Sequence, residues 1–271
     1  MKFSPIIYLI GMLLCILSIF MIVPAFVDWF YGSENWPAFV GSSIVTLFVG
    51  IVLFFSNKGS ATEHLELRQA FLLTNSAWIS IALFGSLPFL LSDIEMSFID
   101  AFFESTSGIT TTGATVIENL EAKSHGILIW RALLQWLGGV GIIVMALAVL
   151  PMLSIGGMQL FKTESYETPD KVVPKAASFA AGISIVYITL TVIWALMLWG
   201  AGMPIFDSIA HAMTTLATGG YSTKSESLAA FDSSTIEIII IFGMLVGSLP
   251  FVHYLTLSKN GLKNLIKDDQ V

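Results

Sequence analysis

The segment that most constrains the fold is a short amphipathic stretch, residues 98–115, with the sequence FIDAFFESTSGITTTGAT. A helix over 98–107 would be about 15 Å long, roughly half of the ~30 Å hydrocarbon core of a bilayer. Residues 109–115 are poor helix formers, so their backbone carbonyls would be unpaired at membrane depth. Irregular backbone is tolerated there only where protein buries it or where it lines a watery cavity. We therefore predict a re-entrant pore helix followed by a loop that presents carbonyl oxygens to a cation.

The composition places this segment in a membrane protein. Of the 271 residues, 55% are hydrophobic and only 11% are charged, a balance that no water-soluble core of this size requires. Six apolar windows are long enough to span a bilayer. They cover residues 6–27, 37–55, 70–91, 126–153, 176–199 and 235–257. The predicted fold is an all-α integral membrane protein with six transmembrane helices and two re-entrant pore-helix loops.

The basic residues predict the orientation of these spans. If the chain crosses six times, most of them fall on one side, namely Lys2, Lys58, Arg68, Lys162, Lys171, Lys175, Lys259, Lys263 and Lys267. The opposite side receives only Lys123 and Lys224, while Arg131 lies in the first turns of the fourth span. By the positive-inside rule, both termini are predicted to be cytoplasmic, in a multi-pass protein of the cell (inner) membrane.

An internal repeat accounts for a second short segment. A shift of 107 residues aligns Asp100 with Asp207, Thr111 with Thr218, Gly113 with Gly220, and Thr115 with Ser222. The second loop then reads PIFDSIAHAMTTLATGGYST, with a predicted pore helix over about 204–215. The chain divides into an N-terminal helix pair, 1–60, and two span-loop-span repeats, 61–160 and 161–271.

Each part of such a loop suits a potassium ion. The ion enters a filter only if carbonyl and threonine oxygens replace its hydration shell. Gly113 and Gly220 lie where the loop must turn, because glycine takes positive φ without strain. The negative end of each pore-helix dipole favours a cation beyond it. Two such loops in matching positions favour a cation filter over ordinary turns.

Five ionisable residues surround the predicted filter. Asp100 and Asp207 lie in the first turn of each pore helix, where a carboxylate favours capping over cation attraction. Glu104 and His211 lie one turn further on, and we interpret them as hydrogen-bonding braces behind the filter, with pore electrostatics as the second role. Arg131 either extends to the outer interface or pairs with an acid such as Glu104, in both cases as a structural residue.

The two loops, together with the segment IWRALLQWLGGVGIIVMALAVLPML, resemble the Trk/Ktr/HKT superfamily of cation transporters. The additional pair of spans before the first repeat makes the chain similar to the TrkH branch. The resemblance implies potassium uptake through a channel-like pore. Carried over residue by residue, it implies filter positions at Thr110, Thr111, Thr112, Gly113, Ala217, Thr218, Gly219 and Gly220. It also implies a cytoplasmic nucleotide-binding regulator of the TrkA type. The polar loop 161–175 is either a docking surface for such a soluble partner or a solvated linker.

One departure from the superfamily is large. Its members carry four span-loop-span repeats in one chain, whereas this sequence holds two, enough for half of a filter ring. The sequence leaves open a truncated chain, a homodimer that rebuilds four loops, and pairing with a second half-chain. It also leaves open passive conduction or coupled symport, and the selectivity for potassium over sodium.

Other functions have little support in the residues. The glycines at 138, 139 and 141 follow no strand, so they favour close helix packing or a hinge over a nucleotide-binding loop. No nucleophile-base pair, metal-ligand spacing or basic stripe with aromatics is present, so neither an enzyme nor nucleic-acid binding is expected, and potassium is the only ion or cofactor predicted. The alternative to a potassium pore is a non-conducting accessory or assembly subunit of a cation transporter.

Overall fold

The computed structural model describes residues 3–60, 67–153, 172–249, 251 and 254. Over these residues the fold is all-helical, with ten α-helices and no β-strand. The helices are α1 (Ser4–Phe20), α2 (Ile22–Phe30), α3 (Trp36–Ser56), α4 (Leu67–Gly85), α5 (Leu87–Leu91), α6 (Phe98–Ile109), α7 (His125–Leu153), α8 (Val172–Gly200), α9 (Ile205–Leu216) and α10 (Ser234–Ser248). The polar loop 161–175, proposed above for a regulator, lies largely outside the described residues.

Two of the apolar windows are interrupted just before a proline. Met21 separates α1 from α2, and Ser86 separates α4 from α5. Pro24 and Pro88 each lack a backbone N–H, and each ring crowds the carbonyl four residues earlier, so the helical ladder breaks there. The backbone at Met21 and Ser86 nevertheless stays in the right-handed helical region, so each window continues as one kinked rod.

Four described helical rods have the length and composition of a membrane span. They are Ser4–Phe30, Trp36–Ser56, Arg68–Leu91 and Ala181–Gly200, which overlap four of the six predicted windows. The fourth window forms the continuous 29-residue helix α7, and the sixth contains α10, which is described for 15 residues. Many large apolar side chains on these rods are exposed, such as Phe48 and Ile79, as expected for surfaces that face lipid.

The core has two parts, with α7 between them. One cluster joins the N-terminal helices α1 to α3 with α4, α6 and the first half of α7. The other joins α8, α9 and α10. In the first cluster, Gly11 on α1 and Gly50 on α3 lie so close to the opposite backbone that a methyl group at either would overlap it. Helix α7 contacts both clusters and is therefore the element that relates the two repeats.

The two short helices have identical lengths and positions within their repeats. Helix α6 spans Phe98–Ile109 and α9 spans Ile205–Leu216, so both ends differ by 107 residues. Helix α6 ends two residues beyond the predicted range 98–107, and α9 is displaced by one residue from the predicted range 204–215. Twelve residues correspond to about 18 Å, still too short to cross a ~30 Å hydrocarbon layer.

Candidate cation site at two matched loops

The three backbone hydrogen bonds that end α6 are repeated at the end of α9. The amides of residues 110, 111 and 112 donate to the carbonyls of residues 106, 108 and 107. The amides of residues 217, 218 and 219 donate to the carbonyls of residues 213, 215 and 214, which is the same set displaced by 107. Both form a Schellman motif, in which a left-handed residue ends the helix. The repeat that the sequence suggests is therefore present in the chain conformation.

The left-handed position of each motif is occupied by threonine. Thr111 has φ of 56° and Thr218 has φ of 53°, while Gly113 and Gly220 have φ of 79° and 80°. The sequence correctly assigns positive φ to the two glycines, but it does not predict the threonines. A β-branched residue in this region is strained and is found where the surrounding structure imposes the conformation. The same strain at matching positions marks these two loops as specialised.

The carbonyl oxygens of both loops are free of protein donors. Among the described residues, no hydrogen bond is donated to the main-chain oxygens of residues 110–113 or 217–220. The helix dipole places partial negative charge at the same two ends. Each loop is thus a short run of electron-rich oxygens without partners, which is the arrangement that a dehydrated cation requires.

The two loops are in contact with one another. Gly113 packs directly on the carbonyl of Gly219, and a methyl group at residue 113 would overlap it. Helix α7 lies behind both loops, because Gly138 packs on the carbonyl of Ile109 and Gly139 packs on Ala217. The close packing predicted for the α7 glycines is therefore observed, and its partners are the ends of the two short helices.

A side chain from each short helix holds the extended segment that follows its loop. The Glu104 carboxylate accepts hydrogen bonds from the Thr115 hydroxyl and the Val116 amide at 3.0 Å. At the equivalent positions, His211 Nε2 lies 3.0 Å from the Ser222 hydroxyl. Thr115 and Ser222 are aligned by the 107-residue repeat. This alignment is the sequence signal that could have indicated the two contacts, because a threonine and a serine have no distinctive residue type.

Arg131 connects the first loop to the second. Its Nε donates to Glu104 at 2.7 Å in a buried ion pair, which is the second of the two alternatives predicted for this arginine. Its Nη1 donates to the carbonyl of Ser222 at 2.9 Å, and the guanidinium lies 4.1 Å from the centre of the Tyr221 ring. The Tyr221 hydroxyl donates in turn to the carbonyl of Glu104. The arginine therefore couples both loops through one planar cation.

The two aspartates have different contacts. Asp100 is exposed, and its carboxylate accepts from the hydroxyl of Ser97, the N-cap residue of α6, which itself accepts from the Asp100 amide. Asp207 is buried, and its carboxylate accepts from the Thr223 hydroxyl at 2.6 Å. The N-cap of α9 is Pro204, which has no side-chain acceptor. The capping contact expected of both carboxylates is therefore made at α6 by the Ser97 hydroxyl, while the Asp207 carboxylate bonds to Thr223 in the segment that follows the loop.

All eight predicted filter positions lie in this one region, with unequal exposure. Thr110, Thr112, Thr218 and Gly220 are exposed, whereas Ala217 and Gly219 are buried. The sequence did not identify Tyr221 or Gln135, which lies on α7 between the loops and accepts a hydrogen bond from the Tyr221 amide. Neither has a distinctive spacing, because their importance comes from contacts across 86 residues of chain.

Comparisons with known proteins identify the family and the fold of the chain. Residues 35–269 match the family model described as "TrkH: Cation transport protein". The chain is 40% identical over its whole length to the Trk system potassium uptake protein TrkH of Salmonella typhimurium, and 37% identical to the Trk system potassium uptake protein TrkI of Halomonas elongata. The solved structure of the potassium transporter TrkH from Vibrio parahaemolyticus superposes with a TM-score of 0.88 and 38% identity over 99% of this chain.

These relatives are longer than the chain. The match covers 56% of the Salmonella protein, and 55% of both the Halomonas protein and the Vibrio structure. The chain thus spans about half the length of the relatives that it matches, and both matched loops lie within that half. On the family match over 35–269 and the likeness in fold, the chain belongs to the TrkH family of cation transport proteins.

Proposed function

We propose that this chain forms half of a membrane pore for potassium uptake. The filter would consist of main-chain oxygens and threonine hydroxyls at residues 110–113 and 217–220. The observation that supports this most directly is the matched pair of helix ends, each with a strained threonine and unpaired carbonyls. The relatives named as potassium uptake proteins support potassium as the transported ion.

The chemistry follows from the cost of removing water from the ion. Carbonyl oxygens replace the hydration shell with several weak dipoles, so that the ion enters without being held too tightly to leave. The two α-helix ends add negative potential at the same place. Because Gly113 and the Gly219 carbonyl touch, an ion beside one loop is also close to the other.

The surrounding ionisable residues are proposed to fix the shape of the filter without contacting the ion. Glu104 and His211 hold Thr115 and Ser222, the residues that leave each loop. Arg131 neutralises Glu104 and ties it to the second loop, while Asp207 holds Thr223. Asp100 holds the hydroxyl of the N-cap residue Ser97 at an exposed position.

A complete filter needs a counterpart that supplies the remaining loops. That counterpart is a second half of the same kind, present either as another segment or as a second copy of this chain. The protein would lie in the cell (inner) membrane, with both termini cytoplasmic, in contact with lipid and with a TrkA-type nucleotide-binding regulator. Lysine placement supports the orientation, and the printed name of the relatives, Trk system, supports additional subunits.

Growth rescue tests this proposal. Cells deficient in potassium uptake would receive the chain alone, or the chain joined to the unmatched remainder of the Salmonella relative. We expect the joined protein to restore growth at low potassium. Rescue by the chain alone would show that two copies complete the pore. Joined protein that reaches the membrane but gives no rescue would favour the accessory-subunit alternative.

A matched pair of glycine substitutions isolates the filter. Gly113 and Gly32 both have positive φ, 79° and 70°, but Gly32 lies between α2 and α3 with open space around it. Both serine variants carry similar backbone strain. Gly113→Ser is expected to abolish rescue and Gly32→Ser to preserve it. Equal effects of the two variants would contradict a filter at residue 113.

A further inference from the structure

Gln135 is a fully buried amide at the contact between the two loops. It lies on α7, one turn beyond Arg131, with none of its side chain exposed. Its Oε1 accepts a hydrogen bond from the Tyr221 amide at 3.0 Å. Because a backbone amide can only donate, this bond fixes which side of the Gln135 amide is oxygen. The Nε2 group is therefore directed away from Tyr221.

The Nε2 group has no hydrogen-bond partner among the described residues, although it is buried. A buried donor without an acceptor is costly, and an apolar side chain of the same shape would avoid that cost. Both loops pack on this amide. A Cβ atom at Gly219 would overlap the Gln135 amide group, and one at Gly113 would lie 3.6 Å from Nε2. The Gln135 amide therefore lies directly against the backbone of both loops, at Gly113 and Gly219, where no side chain intervenes.

We propose that Gln135 is the specificity-determining spacer of the filter. Its Oε1 anchors the second loop at Tyr221, and its Nε2 faces the place where Gly113 meets Gly219. The amide fills the space into which the loops would otherwise close. Sodium is smaller than potassium, so its coordination requires the oxygens to move closer together than this spacer allows. The inference rests on the potassium pore proposed above and adds the residue that sets its preference between the two ions.

The role makes Gln135 distinct from a residue that merely stabilises the helix. It touches neither ion in this proposal, so it is a positioning residue that acts through the loop backbones. Loss of general stability would lower the transport of both ions in proportion to the amount of folded protein. Loss of the spacer would change the ratio between them.

The experiment measures potassium uptake and its inhibition by sodium in cells that carry the rescuing form of the protein. Gln135→Met removes both hydrogen-bonding groups, so the second loop loses its anchor at Tyr221 and the spacer is no longer held at a fixed place between the loops. We expect it to lower the preference for potassium over sodium about fivefold, the ratio that the loss of one neutral hydrogen bond produces. The control Leu133→Ala, at a buried apolar position on the same helix, should lower protein level without changing the ratio.

The potassium-to-sodium ratio separates the possible outcomes. An unchanged ratio in Gln135→Met, with transport retained, would overturn the inference and leave the pore intact. A ratio that falls in both Gln135→Met and the control would overturn it as well. If the methionine variant is absent from the membrane, the ratio in Gln135→Leu, which also removes both hydrogen-bonding groups, decides in the same way. Failure of the unsubstituted protein to take up potassium would instead defeat the proposed function before any variant is compared.

Discussion

The first and second loops share a backbone conformation but differ in the side chains that support it. In the first loop, the brace is a carboxylate, Glu104, whose charge is balanced by buried Arg131. In the second loop, the brace is an imidazole, His211, which contacts the carbonyl of Asp207 and the hydroxyl of Ser222. The duplicated feature is therefore the position of the hydrogen bond, not the chemistry of the group that makes it.

This difference shows which property of the loops is constrained. Both braces hold a hydroxyl residue four positions beyond the strained threonine, Thr115 in one loop and Ser222 in the other. In both loops that hydroxyl also accepts from the amide two residues later. A filter made of backbone oxygens requires this fixed chain path, whereas the braces can diverge as long as their charges are compensated.

The largest expected effect comes from removing Arg131, whose charge balances that of Glu104 behind the first loop. Arg131→Met would leave Glu104 buried without its partner, and breaking a buried ion pair in this way costs about 3–5 kcal/mol. The free energy of unfolding in detergent, measured by denaturant titration, should fall by that amount. The second loop would also lose the bond to the Ser222 carbonyl.

The double variant Arg131→Met, Glu104→Gln is the control for this prediction. A neutral amide can keep the bond to Thr115 or Val116 without requiring a counter-ion, so part of the lost stability should return. If the double variant is as unstable as the sum of the two single variants, the ion pair does not act as a coupled unit.

The positive-φ glycines of the two loops provide a smaller and more local test. Gly113 and Gly220 have nearly equal φ, so alanine at either position carries the same left-handed strain of about 1–2 kcal/mol. Only Gly113 has a carbonyl, that of Gly219, in the place of the new methyl group, while Gly220 has open space. Gly113→Ala should therefore reduce the free energy of unfolding by more than Gly220→Ala, by about 1–3 kcal/mol for overpacking.

The same pair of variants bears on the contact between the loops. Equal destabilisation by the two alanines would show that Gly113 and the Gly219 carbonyl separate at no cost. Uptake assays on the same variants should show the same order, because the clash at residue 113 displaces oxygens of both loops and the strain at residue 220 affects one.

The sequence predicts the loops better than it predicts what holds them together. The short helices, their 107-residue spacing and the positive φ of both glycines follow from local signals, namely helix length and residue type. The coupling through Arg131, Tyr221 and Gln135 does not, because it depends on the placement of α7 across two repeats. Asp207 illustrates the limit. Its position in the first turn indicated a cap, but burial next to Thr223 gave its carboxylate a tertiary partner.

The strained threonines show the same limit in the backbone. Residue type predicts right-handed or extended conformations for Thr111 and Thr218, since β-branched side chains avoid the left-handed region. The Schellman hydrogen bonds and the braces at Thr115 and Ser222 together impose the opposite choice. Only the alignment of the two loops could have indicated that both positions are unusual, and that alignment does not show whether φ is positive or negative.

The smallest expected effect concerns a polar link between the segments that follow the two loops. Glu121 accepts hydrogen bonds from the Ser225 hydroxyl and amide at 2.7 and 2.8 Å, and these bonds lower the pKa of the Glu121 carboxyl below its ordinary value. A lowered folded-state pKa means that this contribution to stability is complete above the ordinary glutamate pKa and is lost as the pH falls through the lowered value.

Glu121→Gln isolates this contribution by the shape of its pH dependence. The unfolding midpoint of the unsubstituted protein should exceed that of the variant at neutral pH, with no change in the difference down to about pH 5. Below the ordinary glutamate pKa the two curves should converge, because protonation removes the charge that the Ser225 donors stabilise. The carboxylate is fully exposed, so the difference should also shrink with added salt. A constant difference across the acid range would mean that Glu121 joins the two segments through the geometry of its hydrogen bonds and that its charge contributes nothing.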